Sequence, residues 1–280
     1  MNILVTGANG QLGTELRNVT AGSRDNYIFS DVISLPGVET LNLDITDIDA
    51  VRIVCESERI DAIVNCAAYT NVDKAEDEPS MAAMLNCTAA GNLAKVAAER
   101  DAVIIQISTD YVFHGDRAEP YREDWPTDPL GVYGSTKLAG EKEIEKSGCK
   151  NIIIRTAWLY SPYGKNFVKT MLRLTDERDS LKVVFDQVGT PTYAHDLASL
   201  IARIIKSGQL DKTGIYHYSN EGAISWYDFA KAICELGGNV CDIRPCRTEE
   251  YPSKARRPRF SVLDKAKIKE TFGIDIPYWR

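Results

Sequence analysis

The sequence predicts an α/β fold: a doubly wound parallel sheet followed by a smaller, partly interleaved C-terminal region. Three observations lead there. Short, almost continuously apolar runs alternate with helical segments up to about Thr156. Strands of that kind are buried on both faces, which calls for a parallel sheet covered by helices. The first run ends in a glycine-spaced loop, Gly7-Ala8-Asn9-Gly10-Gln11-Leu12-Gly13, and beyond Thr156 the alternation becomes irregular.

The elements follow in order. Residues 2–6 read as a buried strand and residues 11–18 as a helix. Residues 27–32 form the second strand, 40–43 a short third, 47–58 a helix and 61–66 the next strand. A long alanine-rich helix is expected over 79–100, then a strand over 102–107, a helix over 133–146 and a strand over 151–155. Beyond these, helices are expected at 166–177, 194–206 and 226–236, strands at 181–185 and 215–218, and loops at 245–260. Residues 1–156 are assigned to dinucleotide binding, and 157–280 mainly to substrate binding, with some segments returning to the first domain's core. The aromatic end, Pro277-Tyr278-Trp279-Arg280, is expected to pack against the body, and a further final helix could follow it.

Composition narrows the function. The 280 residues are 44% hydrophobic and 26% charged, ordinary for a globular protein. A net charge of −7 argues against nucleic-acid or membrane-surface partners, which favour basic patches. No run has transmembrane length, and residues 1–6 lack the basic start of a signal peptide, so a cytoplasmic location is expected. The seven cysteines include no Cys-x-x-Cys pair and read as reduced thiols. His114, His195 and His217 lack ligand spacing, so no metal site is assigned.

Glycines 7, 10 and 13 sit between a strand and a helix. There the first permits a tight turn, the second lets backbone approach a pyrophosphate, and the third lets helix and strand pack closely. The anion would lie at the helix N-terminus, beside Gln11 and Leu12. This is the Rossmann arrangement. Asp31, ending the second strand, is placed to accept from the adenosine ribose hydroxyls and to repel a 2′-phosphate, which leans toward NADH over NADPH. Asp44 and Ile45 would meet the adenine, though Asp44 could equally cap the following helix. Ala67, Ala68 and Tyr69, after the fourth strand, would line the cofactor wall.

Tyr133 and Lys137 stand four apart on a helix and share one face. In a cleft, an ammonium would bring a phenol of pKa about 10 nearer to working pH. Such a phenol can protonate a carbonyl oxygen while hydride reaches the carbon. Either motif alone is common on solvated faces; their order and local context give them meaning.

Together these residues identify a resemblance to the extended short-chain dehydrogenase/reductases. The narrower resemblance is to the branch that reduces the C4 ketone of dTDP-4-dehydro-L-rhamnose. It is carried by the glycine loop, residues 67–76, Ser108-Thr109-Asp110-Tyr111-Val112-Phe113, Tyr133 to Glu141, Arg155 to Tyr160, Asn166-Phe167, residues 186–192 and Arg257-Pro258. The resemblance implies that Thr109 hydrogen-bonds the substrate carbonyl and Tyr133 donates the proton. Lys137 would hold the nicotinamide ribose and depress the tyrosine pKa. Asp110, Tyr111, Trp158, Asn166 and Arg257 would contact the nucleotide-sugar. It further implies NADPH or NADH as cofactor, a homodimer and, in some members, Mg²⁺.

Relatives with other activities resemble the same segments. Nucleotide-sugar dehydratases carry an Asp-Glu pair where this chain has Asp110-Tyr111, which disfavours water elimination. A 4-epimerase would retain its cofactor tightly, whereas a reductase exchanges it. The regulatory β subunit of methionine adenosyltransferase is the non-catalytic alternative.

Overall fold

The computed structural model describes residues 1–280. Strand β1 (Asn2–Thr6) leads through the glycine loop into α1 (Gln11–Val19). Then come β2 (Asn26–Asp31), β3 (Leu41–Asn42), α2 (Ile48–Ser57) and β4 (Ala62–Asn65). Short helices α3 (Val72–Ala75) and α4 (Pro79–Ala83) run through a π turn, Met84–Thr88, into α5 (Ala89–Glu99). Strand β5 (Val103–Thr109), helix α6 (Val132–Ser147) and strand β6 (Lys150–Thr156) complete the first part.

The second part comprises β7 (Leu159–Tyr160), α7 (Phe167–Glu177), β8 (Ser180–Val184), β9 (Val188–Gly189) and β10 (Thr192–Tyr193). It continues with α8 (Ala194–Lys206), β11 (Gly214–His217), β12 (Ile224–Ser225), α9 (Trp226–Leu236), β13 (Asp242–Cys246) and α10 (Ala266–Phe272).

The main sheet has seven parallel strands in the order β11-β6-β5-β4-β1-β2-β3. The order reverses between β1 and β4, and a ligand crevice opens at such a switch point, outside the carboxyl ends of the strands. Alternate strand residues feed two cores. Ile3, Val5, Val64, Ile105 and Ile154 pack under α1 and α8. Leu4, Ile63, Ile104 and Ile153 pack under α2 and α5. Truncating one such buried Leu or Ile to Ala typically costs about 2–5 kcal/mol. Helix α8 and strand β11 therefore return from the second part to finish the first part's core.

The smaller region gathers around Phe229, Met171 and Ile233 between α7 and α9. Its strands form two-stranded sheets, β10 with β7, β12 with β9 and β13 with β8. Of the terminal aromatics, Trp279 packs, meeting Phe229 edge-on at 5.8 Å, while Tyr278 stays exposed; the Glu221 amide donates to Pro277 O at 2.8 Å.

Four local expectations change. The helix expected over 79–100 widens into the π turn around Asn86. Strand β5 runs on through Ser108 and Thr109, which pair in register with Arg155 and Thr156 of β6. Pro245 lies in β13 rather than a loop, tolerable because this sheet has only edge strands. Helix α10 has no counterpart in the sequence reading.

Candidate active site

A cavity of about 790 Å³ runs along the carboxyl ends of the central strands. It begins at Gly7, Gly10, Gln11 and Leu12, passes Asp31, Asp44, Ile45, Ala67 and Ala68, and ends at Thr109, Asp110, Tyr111, Tyr133, Lys137 and Trp158. Gly7 has φ +64°, and a Cβ there would lie 2.6 Å from Ala67 N. Only glycine fits, so the ends of β1 and β4 nearly touch and the cavity floor is backbone. Gly10 caps α1 without a side-chain bond, leaving the helix N-terminus facing the cavity, where an anion fits. Beside the glycine loop, the Asp31 carboxylate accepts from the amides of Asn9 at 3.0 Å and Ile33 at 3.1 Å. The donor set and shape fit a dinucleotide: backbone for pyrophosphate, a carboxylate for ribose hydroxyls.

Gly13 sits where its spacing places it, packing helix on strand: a Cβ there would meet Ala8 Cα at 2.5 Å, and it does not line the cavity. Several assignments are corrected. Tyr69 also lies off the cavity wall, with its phenol donating to Glu78 at 2.7 Å. Asn166 contacts neither large cavity. Its carbonyl oxygen caps α7 by accepting from Lys169 N, and its amide donates to Gln11 at 2.8 Å. Asp44 accepts from Thr46 and is not the cap of α2; that role falls to Asp47.

Helix α6 delivers Tyr133 and Lys137 through close contacts. A Cβ at Gly134 would lie 2.2 Å from Tyr111 O, so the helix sits directly against the strand-end turn. Its N-terminus is held by Glu76, whose carboxylate accepts from Val132 N at 2.8 Å, as the helix dipole favours. Asn86 accepts from Tyr69 N at 2.8 Å and donates to the Thr136 hydroxyl at 3.1 Å, tying the loop after β4 to α6. Sequence reading missed both residues. Glu76 had a signal, its place in the 67–76 segment, but no spacing marks Asn86 within an alanine-rich helix.

The Tyr133 ring meets Tyr111 edge-on at 5.5 Å. Burial pushes its phenol up to about 12, against the pull of the Thr109 hydroxyl, and Asp110 adds to the rise. Desolvation sets the net direction, so the phenol stands above its ordinary value even with the Lys137 ammonium one helical turn away. The Lys137 ammonium instead donates to Ile107 O at 2.6 Å. Burial brings Lys137 down to about 8, while Glu141 and Cys66 pull it up. At neutral pH the phenol is fully protonated and most of Lys137 is charged, the forms needed by a proton donor and its cationic neighbour.

Thr109 Oγ1 donates to Asp110 at 3.1 Å and accepts from Tyr111 N at 3.2 Å. Asp110 is 2% exposed, and burial pushes its carboxyl up to about 6. Trp158 takes a left-handed backbone, φ +47°, and stacks on Trp226 at 3.5 Å. A Cβ at Gly189 would lie 2.7 Å from the Trp158 indole, which explains that glycine.

A second cavity of about 720 Å³ adjoins the first, sharing Val72, Tyr111 and Trp226. Lys182, Arg256, Arg257 and Arg259 line it. Arg257 is there as a substrate-contact candidate, but its guanidinium is already engaged, donating to Asp73 at 2.6 Å and contacting Ser253. Burial pushes the Asp73 carboxyl up, yet Arg257 and the Ala255 amide outweigh it and hold Asp73 at about 2.

The fold and this pair of cavities define an extended short-chain dehydrogenase/reductase. More particularly, the chain belongs to the dTDP-4-dehydrorhamnose reductase family: the model described as the RmlD substrate binding domain matches residues 1–280. A dTDP-4-dehydrorhamnose reductase of Aggregatibacter actinomycetemcomitans is 42% identical, with 99% of this chain and 95% of the relative covered. The crystal structure of a dTDP-4-dehydrorhamnose reductase from Clostridium acetobutylicum superposes with TM-score 0.93 at 42% identity, covering 100% of this chain and 95% of the other. That of the Bacillus anthracis enzyme, in complex with NADP, gives 0.92 at 39% identity, covering 99% and 95%.

Proposed function

We propose that this protein is an NAD(P)H-dependent oxidoreductase that reduces the C4 ketone of dTDP-4-dehydro-L-rhamnose to dTDP-L-rhamnose. The observation that carries the reading is that Thr109, Tyr133 and Lys137 line one end of the same cavity whose other residues form the glycine-loop cradle. When bound, a dihydronicotinamide supplies hydride to the ketone carbon. The chain's own residues handle the oxygen. Thr109 donates to it, Tyr133 gives it a proton, and the Lys137 charge favours the tyrosinate left behind. General-acid assistance of this kind is worth roughly 10²–10⁴-fold.

Residues 1–156 hold the cofactor, and residues 157–280 mainly the sugar nucleotide. In this reading the sugar lies against Asp110, Tyr111 and Trp158, and the diphosphate reaches Arg257 in the basic second cavity. Guanidinium groups suit a diphosphate through paired hydrogen bonds. Asp31 favours NADH, while the NADP in the Bacillus anthracis relative keeps NADPH in play. A Mg²⁺ requirement rests on family resemblance alone; no group of three or more His, Cys, Asp or Glu side chains is arranged to hold a metal. Seven free cysteines suit the reducing cytoplasm, and no helix is long and apolar enough to cross a membrane. A homodimer is the proposed assembly, measurable by light scattering.

The decisive experiment is incubation with dTDP-4-dehydro-L-rhamnose and each nicotinamide, following absorbance at the reduced ring and identifying the sugar by NMR. Oxidation of cofactor with dTDP-L-rhamnose as product supports the reading. No turnover with either cofactor overturns it and favours the regulatory-subunit alternative.

A further inference from the structure

Helix α6 turns an unusually polar stripe toward the sheet. Tyr133, Lys137 and Glu141 follow one another at four-residue spacing. Glu141 is 2% exposed, as is Arg155 of β6. The Glu141 carboxylate accepts from Arg155 Nε at 3.0 Å and Nη2 at 2.7 Å, and also from the Ser108 hydroxyl. Arg155 pairs in register with Ser108 on one side and His217 on the other. Its guanidinium lies 5.2 Å from the Phe113 ring. The ion pair thus joins α6 to β6, and the Ser108 hydroxyl joins the same carboxylate to β5 one residue before Thr109.

A buried ion pair is a poor source of stability, since desolvation offsets its attraction and apolar side chains of similar volume often do as well. Its place here suggests another use. We propose that Glu141, clamped by Arg155 and Ser108, is a positioning residue. It sets α6 against β5 so that Tyr133 meets Thr109, and it keeps a negative charge one helical turn behind the Lys137 ammonium. This rests on the proposed roles of Tyr133 and Lys137.

The groups facing Lys137 are few. The Ile107 carbonyl comes from β5, the Cys66 thiol from the end of β4, and Tyr133 and Glu141 from its own helix, with Arg155 of β6 behind Glu141. Asp110 acts on Tyr133 from the turn after β5. Of the charged groups, Glu141 draws Lys137 upward, and Arg155 sits on the other side of that carboxylate. Removing the carboxylate and removing the guanidinium must therefore move the Lys137 titration in opposite directions.

The test is the pH dependence of the NADH and NADPH dissociation constants, read from nicotinamide fluorescence and so independent of sugar turnover. In the unaltered protein, binding should weaken above about pH 8 as Lys137 loses its proton, and Lys137→Met should abolish that limb. Glu141→Gln should move the limb acidward by about one pH unit, and Arg155→Gln should move it alkaline. Glu141→Gln keeps the side chain's volume, Arg155→Gln shortens it and gives up the paired guanidinium contact, and circular dichroism checks that each variant folds; either one alone decides the sign. In turnover, Glu141→Gln should lower kcat by roughly 10-fold, the size of a displaced proton donor, with KM for the keto-sugar within about 2-fold. Folded variants with an unmoved limb, or limbs shifted in the same direction, overturn the proposal even if the parent reduces the sugar. A parent that binds cofactor with the expected limb but leaves the sugar unreduced overturns the proposed function instead.

Discussion

The half of the site proposed for the cofactor and the half proposed for the sugar nucleotide are built from different materials. The first is mostly backbone and small residues from adjacent strand ends, Gly7, Gly10, Ala67 and Ala68, together with Asp31. The second is made of large side chains brought from distant segments: Tyr111, Trp158, Trp226, Lys182 and Arg257. A shared cofactor can be recognised by a backbone cradle, whose sequence mark is local. A particular sugar nucleotide needs side chains that only the completed fold brings together.

Mutations that divide the halves should break or sharpen that contrast. The largest effect is expected where they meet. Tyr133→Phe should lose roughly 10²–10⁴-fold in kcat while binding NADH normally, because only the transferable proton is removed. Near-normal turnover would exclude Tyr133 as the donor.

Next in size is Arg257→Ala. Losing a charge-assisted contact to a diphosphate should raise KM for the sugar nucleotide by roughly 10–100-fold and leave cofactor binding unchanged. An equal loss in both would show that Arg257, through Asp73, supports the cofactor loop as well.

Gly134→Ala tests the joint between the halves. Its methyl would press on Tyr111 O, so stability should fall by about 1–3 kcal/mol in urea denaturation, with a parallel loss of kcat. An unchanged midpoint would mean that α6 can back away from the turn at no cost.

The smallest effect concerns Asp31→Ala. It should weaken NADH by roughly 10-fold and NADPH less, since the lost hydrogen bonds to the ribose are partly offset by relief of repulsion on the 2′-phosphate. Equal weakening would remove Asp31 from cofactor choice.

Much of the fold was legible because local rules and tertiary structure agree. Apolar runs became the central strands, and the Gly7–Gly13 spacing found the switch point. The failures are physical too. Asn166 resembled a site residue, but an asparagine just before a helix serves as well for capping, and that use prevails. Tyr69 follows two small cavity-lining residues, yet its phenol turns to Glu78, an ion-pairing surface residue. The pKa of Tyr133 could not be read from helical spacing, because spacing says nothing about how much water the neighbouring strands exclude. Three of the second cavity's cations, Arg256, Arg257 and Arg259, stand together in the sequence, but Lys182 lies far from them in the chain and only the fold brings it to the same cavity. Helix α10 carries only two buried residues, Ile268 and Phe272, too few for a periodic signal.

The return of α8 and β11 has a mechanical consequence. Ile201, Ile204 and Tyr216 share one core with Ile3, Val64 and Ile154. Cutting the chain after Thr156 would strip an outer strand and a covering helix from the main sheet, baring an adhesive β-edge. The halves are thus interlocked rather than modular: neither can be exchanged by simple fusion, and calorimetry should record a single melting transition.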